Sequence, residues 1–141
     1  MDHVVYIDAK ADEFSKIQDG TKTMIIRGAA GRKMPYGRVE SGDVLYFIEN
    51  DGTGLVKVRG DVKSVLNSEK MTKEESVSFV ESHQEYLQLT GTQVKRWAGK
   101  RYIVLIGIEN VENLNPFQID KSDYGNMDDW LPVEEINRVK K

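Results

Sequence analysis

The residues best placed to do chemistry lie between Gly20 and Asp43, in the stretch GTKTMIIRGAAGRKMPYGRVESGD. It carries Lys22, Arg27, Arg32, Lys33 and Arg38 and no acidic residue until Glu40, in a chain whose formal charge is -3. Such a local positive field attracts anions. Gly28 and Gly31 flank two alanines, so a backbone can approach closely, while the cations reach phosphates and Tyr36 offers a stacking face. The loop reads either as a phosphate-binding segment or as a solvated surface loop. It is not a Walker loop, because the glycine spacing and the terminal Lys-Ser/Thr pair are missing. The G-x-x-G clamp of one RNA-binding module belongs between helices, whereas this one follows a strand.

A second set of cations, Lys95, Arg96, Lys100 and Arg101, surrounds Trp97. Cations interleaved with an aromatic ring suit a nucleic-acid surface; the competing reading is a core tryptophan with solvated neighbours. The two histidines and the absence of cysteine leave no set from which a metal site can be assembled, and no cofactor is expected. His83, between Phe79 and Leu87 at helical spacing, reads as a packed or hydrogen-bonded residue at the edge of the core. Acidic residues concentrate late, at Glu109, Glu112, Asp120, Asp123, Asp128, Asp129, Glu134 and Glu135, which reads either as a polar molecule with an acidic part facing a basic one or as ordinary surface solvation.

Elements that could hold these groups follow from patterning. With 141 residues, 39% apolar and 30% charged, the chain suits one globular domain spanning 1–141. No apolar run reaches the ~20 residues of a membrane span, and MDHVVYIDAK lacks the features of a signal peptide, so a cytoplasmic setting without a membrane partner is expected. His3 to Ile7 is a strand; Asp8 caps a helix that ends at Asp19-Gly20; a strand covers Thr23 to Ile26. Val44 to Ile48 and Leu55 to Gly60 form a hairpin across the turn cluster at Glu49 to Gly54, and the second strand continues past Gly60 to Leu66. Thr72 and Glu75 make a capping box for a helix that Thr90-Gly91 ends. Tyr102 to Ile108 is the central strand, broken at Asn115-Pro116-Phe117, and Asp129 to Pro132 leads into a last helical turn. The expected class is α+β: a small, mostly antiparallel pseudo-β-barrel flanked by two or three helices.

Gly20-Thr21-Lys22-Thr23-Met24-Ile25-Ile26-Arg27, followed by Ser41-Gly42-Asp43 and an apolar strand, resembles the signature of ASCH domains in the PUA-like superfamily. The pattern there is glycine, any residue, lysine, two of any, glutamate, any residue, arginine. Gly20, Lys22 and Arg27 match, and Ile25 stands where glutamate is usual. The resemblance implies a PUA-like pseudo-barrel with Lys22 in a cleft and Arg27 on its wall. It further implies RNA or a modified nucleotide as partner, with some members hydrolysing acylated cytidines. Ile25 would leave Lys22 without its carboxylate and give the cleft a more apolar wall.

Two functions follow as expectations. The first is a binding module for RNA or a modified nucleotide, using Lys22, Arg27, Arg32, Lys33, Tyr36 and Arg38 with Lys95, Arg96 and Trp97. The second is a small amidohydrolase acting on an acylated nucleoside, with Lys22 activating a nucleophile and Thr23 and Glu49 assisting. A geometric expectation accompanies them. Lys22 should share a concavity with Lys95, Arg96 or Lys100, in a pocket lined also by Met24 or Ile25 and by Tyr36 or Trp97.

Overall fold

A computed structural model describes residues 1–124 and 129–141. Its scaffold is a mixed, curled six-stranded sheet of half-barrel form. The strands are β1 (Asp2–Ile7), β2 (Met24–Ala29), β3 (Val44–Glu49), β4 (Leu55–Asn67), β5 (Tyr102–Gln118) and β6 (Trp130–Glu134). They are ordered β2-β5-β4-β3-β1-β6. Every neighbouring pair is antiparallel except β1 and β3. Helices α1 (Glu13–Gln18), α2 (Lys73–Ser82), α3 (Gln84–Leu87) and α4 (Gly91–Trp97) flank it.

Period-two patterning splits the long central strand between two cores. Val104, Ile106 and Ile108 of β5 join Ile25, Leu45, Phe47, Val58 and Trp130 on the concave side. Ile103 and Leu105 face the other way, onto Val80 and Leu87 of the helices and onto Trp97. A third cluster, with Val4, Tyr46, Ile48 and Val133, closes the end nearest the C-terminal segment. On β2, Ile25 and Ile26 divide between the first and second cores by the same alternation.

The hairpin of β3 and β4 forms where expected, and β4 runs on past Gly60 with its register shifting between Arg59 and Asp61. Four sequence expectations need correction. Asp8 does not cap α1: its carboxylate binds the backbone N–H groups of Lys10 and Ala11, and the helix starts only at Glu13. The helix after Thr72 has its capping box but ends at Ser82; Gln88 then takes φ +51° and Thr90 opens a second capping box with Gln93. Thr90-Gly91 is thus a start, not a stop. The central strand does not break at Pro116: β5 continues to Gln118, and the proline falls in the irregular pairing between Val58↔Asn113 and Val56↔Phe117, where a missing N–H is tolerated. Trp130 to Pro132 form the edge strand β6, paired with β1, rather than a lead into a helix; only Ile136–Arg138 turn helically.

The Ser41-Gly42-Asp43 turn has a defined task. Asp43 accepts a hydrogen bond from His3 Nε2 at 2.9 Å and one from the Glu40 N–H at 3.0 Å. Trp130 Nε1 donates to His3 Nδ1 at 3.1 Å; because indole is only a donor, Nδ1 is the acceptor and Nε2 carries the proton. Burial alone would raise the Asp43 carboxyl, but its bonds from His3 and the Glu40 N–H, and the nearby charges, hold it below its ordinary range. This buried line ties the start of β1 to β3 and β6.

Candidate functional site

The sheet is open between its edge strands, and Arg27 spans the opening. It leaves β2 on the concave side, like Ile25 two residues before it. Its guanidinium donates to the Tyr6 carbonyl of β1 at 2.6 Å and to the Ile26 carbonyl at 2.7 Å. It lies between the rings of Trp97 and Trp130, at 5.8 and 5.6 Å. Nε sits 3.2 Å from Asp129 Oδ2 as an ion pair without hydrogen-bond alignment, so that N–H is buried without a hydrogen-bond partner among the described residues. The exposed Arg96 reaches the same oxygen, at 3.6 Å, and stacks on Trp97 at 4.4 Å.

Two hollows meet at these residues. One, of about 300 Å³, is lined by Arg27, Lys33, Arg96, Lys100, Tyr36, Trp97, Tyr102 and Asp129, together with Gly28, Ala29 and Gly31. The other, of about 220 Å³, is lined by Tyr6, Asp8, Glu13, Asn50, Gln93 and Lys121. Arg27, Arg96, Trp97 and Asp129 belong to both. The antiparallel pairing of β2 with β5, Ala29 opposite Tyr102, brings the ends of the two basic stretches together. Gly28 is needed for this closeness: a Cβ there would meet Lys100 Cβ and Tyr102 O, each at 3.2 Å. Its missing side chain admits the protein's own chain, whereas Gly31 faces open space. Tyr36 is fixed by an edge-on contact with Tyr102, centroids 5.6 Å apart, and by its hydroxyl donating to Ser68 O.

Lys22 lies elsewhere. It is 1% exposed and its ammonium donates to the Leu87 carbonyl, with Glu13 Oε2 at 3.7 Å. Glu13 Oε1 accepts from the Asp8 N–H at 3.0 Å and from Gln93 Nε2 at 2.9 Å. The Gln93 carbonyl in turn caps α4 through the Thr90 N–H. Burial lowers the Lys22 pKa from 10.5 to about 8, against the raising influence of Glu13. A charged Lys22 in the fold therefore costs on the order of 3 kcal/mol at neutral pH. Thr23 is exposed beside a separate hollow bordered by Gly20 and Ile108. Glu49, at the end of β3, pairs with Lys57 at 3.8 Å. Lys22, Thr23 and Glu49 are thus not lining residues of the two joined hollows.

Placed against known structures, the chain superposes on the ASCH protein from Zymomonas mobilis with a TM-score of 0.66 at 14% identity, over 97% of this chain and 92% of that one. Two mutant forms of that protein superpose with the same TM-score at 15% identity. The fold is that of an ASCH domain. No family profile and no curated protein sequence matches the chain.

Within this ASCH fold the signature positions separate. Arg27 reaches the cleft and Lys22 is held beneath it. Ile25, 0% exposed, packs in the concave core and is not a wall of the cleft. Nor does it leave Lys22 without a carboxylate, because Glu13 approaches from α1. Of the other expected site residues, Lys33, Tyr36, Arg96 and Trp97 line the first hollow. Arg32 lies over the rings of Tyr36 and Tyr102, at 5.7 and 5.6 Å, outside it. Arg38 and Lys95 are exposed and line neither hollow. Of the late acidic residues, Asp129 stands among the cations; Asp128 lies outside the described residues. Sequence reasoning missed Tyr102, Gln93, Glu13 and the position of Asp129. The Thr90-x-x-Gln93 capping pattern was the one available signal for Gln93.

Proposed function

We propose that the whole chain, residues 1–141, is one cytoplasmic module that binds RNA or a modified nucleotide in the cleft beside Arg27. The observation that carries this reading is the joining of cations from both basic stretches, Arg27, Lys33, Arg96 and Lys100, with the rings of Tyr36, Trp97 and Tyr102 in one concavity. Fixed cations meet phosphates and aromatic faces stack bases, and the size suits one nucleotide at a time. Arg32, Arg38 and Lys95 extend positive charge beyond the cleft for a longer strand. Among the described residues no helix is long and apolar enough to cross a membrane. The test is titration of labelled single-stranded RNA oligonucleotides at two ionic strengths. Four phosphate contacts give a log–log salt slope of about −3; absence of binding at low salt would remove the reading.

One observation favours a hydrolase as the second reading: a lysine with a pKa near 8, within reach of the base range, beside a carboxylate. Its ammonium is committed to Leu87 O and Glu13, however; Thr23 borders the same small hollow as Lys22 but is exposed, and Glu49 pairs with Lys57 instead. Incubation with acylated cytidines, followed by chromatography of the free acid and nucleoside, decides it.

A further inference from the structure

Asp129 is the one acidic side chain in contact with Arg27 and Arg96 at the seam of the two hollows, among the described residues. Its position is that of a bound anion. It is held by a nine-tenths buried guanidinium on one side and by an exposed one on the other, with side-chain exposures of 9% and 59%. The buried partner is not satisfied by it: Arg27 Nε, 3.2 Å from Asp129 Oδ2, has no aligned acceptor among the described residues. A buried N–H without an acceptor, on a side chain that lines two hollows, is a group that an added oxygen acceptor would satisfy once Asp129 moves aside.

We infer that Arg27 and Arg96 form a phosphate site which Asp129 occupies in the free protein, and that the group able to displace it is a terminal phosphomonoester rather than an internal phosphodiester. This rests on the nucleotide-binding reading above and adds the group recognised. Charge decides between the two phosphates. Asp129 brings one negative charge and is tethered to the chain, so it competes at high effective concentration. A phosphodiester also brings one charge and gains nothing electrostatically by the exchange. A phosphomonoester brings about −1.5 to −2 near neutral pH and three acceptor oxygens, enough to serve the Arg96 fork and the unaligned Arg27 Nε. Lys33 and Lys100 line the hollow into which the displaced geometry opens, and Trp97 and Tyr102 wall it against a base. The chemistry is shared by a free nucleotide and by the phosphorylated end of an RNA strand.

The experiment is calorimetric titration of the full chain with each ribonucleoside 5′-monophosphate, each 3′-monophosphate and the 5′-methyl phosphodiesters. Pentanucleotides with and without a terminal phosphate complete the set and separate a free nucleotide from a strand end. The monoesters are expected to bind at least about tenfold more tightly than the diesters. Asp129→Asn, nearly isosteric, should raise diester affinity about tenfold and shrink that preference to under about threefold. Arg96→Ala, at an exposed position, should abolish the preference without changing the melting temperature. Equal affinity of monoesters and diesters for the wild-type protein overturns the inference, as does weaker or unchanged diester binding by a folded Asp129→Asn protein. If RNA binds with the expected salt dependence in those cases, only this inference fails; if neither RNA nor any nucleotide binds, the nucleotide-binding reading fails with it.

Discussion

Two groups of cations in this molecule have opposite surroundings. Lys22 and Arg27, the signature residues, are 1% and 7% exposed and spend their donors on backbone carbonyls and carboxylates of the same chain. Lys33, Arg96 and Lys100 are exposed and stand around a concavity. The difference teaches that a motif residue can belong to the frame of a site: Lys22 does so alone, whereas Arg27 both braces the sheet and reaches the cleft. Lys22 holds α1, α3 and the start of β2 together; Arg27 bridges β2 to β1 and also reaches the cleft; and the exposed cations around that cleft come from the loop after β2, from α4 and from the segment before β5.

The strongest way to break this contrast is to remove a frame cation. Lys22→Ala leaves the Leu87 carbonyl without its donor and Glu13 without its cation, and should cost about 3–5 kcal/mol in urea unfolding. Lys22→Met combined with Glu13→Gln, which keeps an acceptor for the Asp8 N–H and for Gln93, should recover at least about half of that loss. A cost under about 1 kcal/mol for Lys22→Ala would place the residue among ordinary surface lysines.

The pH dependence of Lys22 sharpens the same point. Its folded pKa, about 8, lies below the unfolded value of 10.5, so between these the unfolded chain binds more protons. The wild type should therefore gain stability relative to Lys22→Met as pH rises from about 8 to 10.5, by a total on the order of 3 kcal/mol, with no such gain below the window. Parallel unfolding curves at pH 7, 9 and 10.5 read the difference, and a constant gap contradicts a desolvated ammonium. Smaller still is the effect at the junction of the two regions. Gly28→Ala sets a Cβ 3.2 Å from Lys100 Cβ and from Tyr102 O and should cost about 1–2 kcal/mol, widening the gap between β2 and the segment before β5.

Much of this frame was legible in the sequence because it is local. The turn cluster at Glu49 to Gly54 announces the β3–β4 hairpin, the apolar run at Tyr102 to Ile108 announces the central strand, and Thr72 with Glu75 announces α2. What was illegible depends on long-range placement or on backbone choices without a residue signature. Gln88 enters the left-handed region although it is not glycine, dividing one apparent helix into pieces. Pro132 reads as a breaker, yet an edge strand such as β6 can accept it. Glu13 reaches Lys22 from a neighbouring element rather than from the position four residues before Lys22 or three after it, where a local motif would seek a partner. Asp129 looked like one more acid in an acidic tail until the sheet's curl carried β6 to the mouth of the cleft.

The most direct test compares the two groups in one assay. RNA affinity and its salt slope should be measured for the wild type, for Lys22→Met, and for a triple variant with Lys33, Arg96 and Lys100 all changed to alanine. The triple variant should bind roughly 10- to 100-fold more weakly, with a slope shallower by about 2, while its stability stays within about 0.5 kcal/mol of wild type. Lys22→Met should lose stability and keep its RNA affinity within about threefold at a temperature where it is folded. Loss of binding in folded Lys22→Met, with the triple variant unaffected, would contradict the division between a frame of buried cations and a contact surface of exposed ones.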